Sequence, residues 1–98
     1  MFLGVYHFDG DHAALLPAYD RLIAGLSPDT TITLQLCLAT DRGISVYDAC
    51  PSRESFRTFA AGADIRRAFA AAGLPEPHIE ELGDVYRTTL SDVVRESR

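Results

Sequence analysis

Hydrophobic and polar positions along this chain switch between a period of two and a period near 3.6, and the switches divide it into six elements. Phe2, Gly4, Tyr6 and Phe8 alternate with Leu3, Val5 and His7, so both faces of the first segment are largely apolar and a strand covered on two sides is expected. Asp9-Gly10-Asp11 makes a turn, with Asp11 placed to cap a helix whose apolar stripe is Leu15, Tyr19, Leu22 and Leu26, with Leu16 and Ile23 alongside. Residues 25–29 end that helix. A second strand is predicted over residues 31–39, with Ile32, Leu34, Leu36 and Leu38 on one face and Thr31, Thr33, Gln35, Cys37 and Ala39 on the other. Thr40-Asp41-Arg42-Gly43 is a short turn, so the third strand returns antiparallel with Ile44, Val46, Asp48 and Cys50 in one row.

Ser52 starts the second helix, with Glu54 favourably near its positive end and Phe56, Phe59 and Ala60 on one side. Gly62 breaks the stripe, Asp64 is placed to cap a continuation through Ile65, Ala68, Phe69 and Ala72, and Gly73-Leu74-Pro75 supplies the stop. The last strand is expected over residues 79–86 and a polar tail over residues 87–98, leaving a single domain over residues 1–86. The order β-α-β-β-α-β specifies an α+β, ferredoxin-like antiparallel sheet with both helices on one face. The other face, taken to carry Gln35, Cys37, Ser45 and Tyr47, is too apolar to be left in water. A chain of 98 residues has a modest core, so face-to-face association into a homodimer is expected.

Charge and composition narrow the partners. A formal charge of −5, with Glu54 and Asp64 among the arginines at 53, 57, 66 and 67, leaves no phosphate-binding footprint and argues against nucleic acid. The apolar runs are too short to span a bilayer, and the first residues lead into a strand instead of a basic leader, so the expectation is a cytoplasmic protein without a membrane partner. Cys37 and Cys50 are too far apart for a CxxC pair and read as buried thiols.

Candidate chemistry is sparse. Asp48 stands in a row that otherwise reads as buried, which makes it either a pocket base or a carboxylate bonded to amides and hydroxyls near the second helix. His7, Asp9, Asp11 and His12 cluster around the first turn, where they serve as an acid–base pair, a metal site or structural caps. His7 and Asp48 are the candidate proton-transfer groups, and Tyr6, Tyr47, Tyr86 and His78 the candidate ligand contacts. No nucleophile–base–orienter set, glycine-rich phosphate loop or spaced metal cluster is read from the sequence, so a module without catalysis is favoured and no cofactor is expected.

Residues 43–59, followed by Ala72-Gly73-Leu74-Pro75-Glu76-Pro77-His78-Ile79-Glu80, resemble the dimeric α/β-barrel superfamily that includes the antibiotic-biosynthesis-monooxygenase-like proteins. The shared pattern is a glycine-led strand ending in an aspartate, here Asp48, and a serine that starts the helix, here Ser52; Cys50 stands where such proteins commonly carry Trp, and this chain has none. The resemblance implies a dimeric α/β barrel. It also implies one of several functions found in that superfamily: cofactor-independent monooxygenase-like chemistry, decarboxylation or isomerisation of an aromatic or polyketide-like molecule, or no catalysis. The favoured expectation is a small dimeric protein that binds an apolar or aromatic molecule, with an enzyme of the kinds just named or a purely structural dimer with a filled core as the alternatives.

Overall fold

The computed structural model describes residues 1–26 and 33–89. Its elements are β1 (Phe2–Asp9), α1 (His12–Gly25), β2 (Leu34–Thr40), β3 (Gly43–Cys50), α2 (Arg53–Ala61), α3 (Ala63–Ala72) and β4 (His78–Asp84). Helix starts and stops follow local chemistry. Asp11 accepts the amide of Ala13, Ser52 accepts that of Ser55, and Gly73 leaves α3 at φ 93°, where a side chain would be strained. Leu74 then donates its amide to the Phe69 carbonyl at 2.9 Å and is itself buried. Gly62 does separate two helices, but it caps α3 without a side-chain bond; Asp64 instead lies in the first turn and pairs with Arg67.

The four strands form one antiparallel sheet in the order β2-β3-β1-β4, the ferredoxin-like arrangement, with the helices on one face. It is an open sheet. The barrel implied by the sequence resemblance is not formed: β2 and β4 are the two edges, held apart by β3 and β1, and four strands are too few to close around a filled interior. The last strand ends earlier than expected, at Asp84, because the pairing with β1 runs out at Phe2; only Val85 continues, donating its amide to the Met1 carbonyl at 2.7 Å. Residues 27–32, including the expected start of β2 at Thr31 and Ile32, and the tail from residue 90 lie outside the described residues.

The core lies between the sheet and the helices. Phe2, Tyr6 and Phe8 of β1 and Ile44, Val46 and Cys50 of β3 meet Leu15, Ala18 and Leu22 of α1, Phe56 of α2 and Ile65 and Phe69 of α3. The rings interlock at centroid distances of 5.2–5.8 Å in tilted and edge-on pairs, which suits the aromatic quadrupole better than face-to-face stacking. Phe56 lies directly over Gly4, where no other residue leaves room for its ring. Arg21 closes the top of the helical layer by donating Nε and Nη2 to the Ala72 carbonyl, at 3.2 and 2.9 Å.

Register reverses the expected faces of β2. Gln35, Cys37 and Ala39 pair with Asp48, Val46 and Ile44 and so share the helix side, while Leu34, Leu36 and Leu38 point to the outer face with Ala49, Tyr47 and Ser45. Across the sheet the outer face therefore reads in rows: Leu38, Ser45, His7, His78; then Leu36, Tyr47, Val5, Glu80; then Leu34, Ala49, Leu3, Gly83.

Candidate functional site

Two polar clusters form, and the sheet lies between them. On the helix side, Asp48 is 2% exposed and accepts a 2.8 Å hydrogen bond from Gln35 Nε2, while the Tyr19 hydroxyl donates to Gln35 Oε1. Burial pushes the Asp48 carboxyl up to about 6, with the Gln35 hydrogen bond pulling the other way. The Tyr6 hydroxyl is buried with no hydrogen-bond partner among the described residues, and burial, with Asp48 and Cys50 nearby, holds it far above the ordinary phenol range. The space beside Asp48, walled by Leu22, Leu26, Phe59 and Phe69, is about 20 Å³, room for about one water molecule. The interior is a filled core with a polar seam. Burial also pushes the Cys37 thiol up to about 11 and raises that of Cys50, so neither is poised as a nucleophile.

The outer cluster centres on His7. Its Nε2 lies 2.9 Å from Glu80 Oε1 and its Nδ1 2.8 Å from Ser45 Oγ, and the His78 ring stacks beside it at 6.2 Å with the planes 19° apart. An ionised carboxylate only accepts, so Glu80 holds the proton on Nε2 and leaves the Nδ1 lone pair to receive the serine hydroxyl. These contacts follow from register: Ser45 and His78 are the cross-strand partners of His7, and Glu80 is two residues beyond His78 on the same face. The cluster borders an open groove of about 630 Å³ at the end of the sheet, which Asp9, Thr40 and Arg42 also line. Gly43 shapes this end. Its φ of 147° is open to glycine, and a Cβ there would sit 2.0 Å from the Phe8 carbonyl oxygen.

The candidate residues read from the sequence thus divide. His7, His78 and Tyr47 share the outer face, whereas Asp48 and Tyr6 lie on the helix side. Tyr86, past the end of β4, is 98% exposed and belongs to neither cluster. Around the first turn the four polar residues do not converge: Asp11 caps α1, and His12 donates from Nδ1 to the Thr40 carbonyl at 3.0 Å. Among the described residues no group of three or more His, Cys, Asp or Glu side chains is arranged to hold a metal ion. Ser45, Glu80 and Arg42 were not foreseen as site residues. Ser45 could have been found by carrying the alternation of β3 onto the partner strand of His7, and Glu80 by its two-residue spacing from His78.

No family model matches the sequence, and no curated protein matches it. Among solved structures the chain is similar to a candidate antibiotic biosynthesis monooxygenase from Deinococcus radiodurans, at 14% identity and a TM-score of 0.57, over 93% of this chain and 99% of that one. A likeness at that identity is one of fold.

Proposed function

We propose that the protein binds a small apolar or aromatic molecule in the outer groove beside His7, and that a second copy of the chain covers the apolar rows next to it. The groove itself carries the reading. Its volume of about 630 Å³ falls in the range of small-molecule sites, and it brings imidazole, hydroxyl, carboxylate and guanidinium groups together with the apolar edges of Phe8 and Ile44. The space beside Asp48, by contrast, admits no organic ligand without moving a helix. In this reading His7 and His78 offer flat ring surface within the groove, and Asp48 and Tyr6 belong to the core on the other side of the sheet. The likeness to a candidate monooxygenase fits a small-molecule role, and His7 is the group in the groove placed to move a proton. Titration of ¹⁵N-labelled protein with 1-naphthol tests the site. Saturable shifts confined to His7, Ser45, His78 and their strand neighbours are expected; shifts centred on Leu22, Gln35 and Phe59 would place the ligand in the core instead.

The homodimer rests on the sheet face. Leu36 is 54% exposed and Leu38 43%, and this leucine row of β2 makes an apolar surface that packing of two sheets would remove from water. Sedimentation equilibrium at micromolar concentration should give twice 10.7 kDa, and Leu36→Glu, which sets a charge in the exposed leucine row of β2, should return the mass to that of one chain. A wild-type mass of 10.7 kDa would remove the dimer from this account. No helix among the described residues is long and apolar enough to cross a membrane, and the two free cysteines fit the reducing interior of a cell, where we place the protein.

A further inference from the structure

Ser45, His7 and Glu80 are 38 and 73 residues apart in the pairs that join them, yet the sheet sets hydroxyl, imidazole and carboxylate in one hydrogen-bonded line. We propose that this line is an acyl-transfer relay that hydrolyses small aryl or short-chain esters, a proposal that rests on the reading of the groove as the place where an apolar ligand enters. Glu80 accepts the Nε2 proton, which fixes the tautomer in which Nδ1 is basic, and Nδ1 faces the Ser45 hydroxyl at 2.8 Å. Ser45 is 7% exposed, and its remaining open side lines the groove. The roles match those of a nucleophile, its base and the group that orients the base, with the two ring nitrogens exchanged relative to the serine-protease arrangement.

In the first step Ser45 Oγ bonds to the ester carbonyl carbon while its proton passes to His7 Nδ1. The bond from carbon to the leaving oxygen then breaks, and that oxygen takes the proton from His7 and departs as the alcohol. Water next adds to the acyl-serine, giving its proton to His7; the acyl–Oγ bond breaks, the proton returns to Oγ, and the acid leaves. One ester and one water become one acid and one alcohol, with no co-reactant. The other charged and titratable groups that line the groove with His7 are Asp9 from its own strand, Arg42 from the turn before β3 and His78 from β4. Of these, Arg42 is the permanent cation and the group suited to the oxyanion that forms after each addition. Leu38, the cross-strand partner of Ser45 on the same face, offers apolar surface to the acyl or aryl part of the substrate.

Labelling with diisopropyl fluorophosphate, read by intact mass and peptide mapping, tests the relay together with hydrolysis of 4-nitrophenyl acetate. The expected result is one adduct per chain at Ser45 and parallel loss of hydrolysis. Ser45→Ala should lose both, and His7→Ala should lower the rate by about 100-fold and regain part of it on addition of imidazole. Glu80→Gln should lower kcat, counted per folded chain, with little change in KM, and should slow labelling of Ser45 in parallel. Circular dichroism of each variant confirms that it is folded. An unlabelled Ser45, or hydrolysis that persists in Ser45→Ala at the wild-type rate, would overturn the relay. If 1-naphthol still produces saturable shifts at the groove in that case, ligand binding stands and only the relay falls; an adduct at Ser45 without naphthol binding supports the relay and removes the aromatic ligand.

Discussion

Gly4→Ala is expected to destabilise the fold by about 2–3 kcal/mol, although the change adds a single methyl group to a strand. A Cβ at this position would lie 2.1 to 2.6 Å from three atoms of the Phe56 ring, well inside van der Waals contact. The ring has little freedom to move away. It is 1% exposed and wedged between Phe2 and Tyr6, at centroid distances of 5.8 and 5.6 Å, so relief requires α2 to lift from β1. The same contact predicts a compensating pair. Phe56→Leu alone creates a void over Gly4, and in the double variant the new methyl group fills part of it, so the two changes should cost less together than their sum. Urea denaturation of the four proteins measures this directly; a Gly4→Ala loss below about 0.5 kcal/mol would mean that Phe56 does not seat on the strand.

Asp48→Asn is expected to stabilise the protein at pH 8 by up to about 3 kcal/mol, with the advantage fading as the pH falls towards 4. Burial raises the folded-state carboxyl to about 6 from the ordinary 3.8, so between those values the native state binds a proton that the unfolded chain has released. The sign follows from that excess. Stability contributed by the protonated form is fully present below 3.8 and is lost as the pH rises through 6, after which the folded protein carries a desolvated charge. An amide at this position can still accept from Gln35 Nε2 but carries no charge. Comparing the two proteins from pH 4 to pH 8 cancels the contributions of every other titrating group. A difference that stays constant over that range would show that Asp48 is held as comfortably charged as a surface carboxylate.

How far the chain could be read in advance depended on how far apart the deciding residues stand. Asp11, Ser52, Gly62 and Gly73-Leu74 act on amides and carbonyls within a few positions of themselves, and each marks its helix end in plain view. The topology was legible for a similar reason, since a short turn at residues 40–43 forces the hairpin and the helices supply the crossovers. The face of β2 was not. Hydrophobicity alone sends Leu34, Leu36 and Leu38 inward, but a buried Asp48 needs a donor, and Gln35 occupies the inner face to provide it, sending the leucines to the surface. The site escaped reading because its parts come from three strands, and only the register of β1 against both β3 and β4 brings Ser45 and Glu80 to His7. His7 and Asp48, the two alternatives for a proton-removing base, lie on opposite faces of one sheet, which alternation along each strand did not reveal without the register.

On the proposal above, function lies on the outer face of the sheet and structure on the inner. Affinity for 1-naphthol in His7→Ala and Asp48→Asn, compared with the wild type by titration of the labelled proteins, separates the two faces in one measurement. The expected result is a loss of about tenfold in His7→Ala, from removal of a ring and of the hydrogen bonds it organises, with Asp48→Asn binding as the wild type does. Full affinity in His7→Ala together with a loss in Asp48→Asn would contradict the account and move the site into the core.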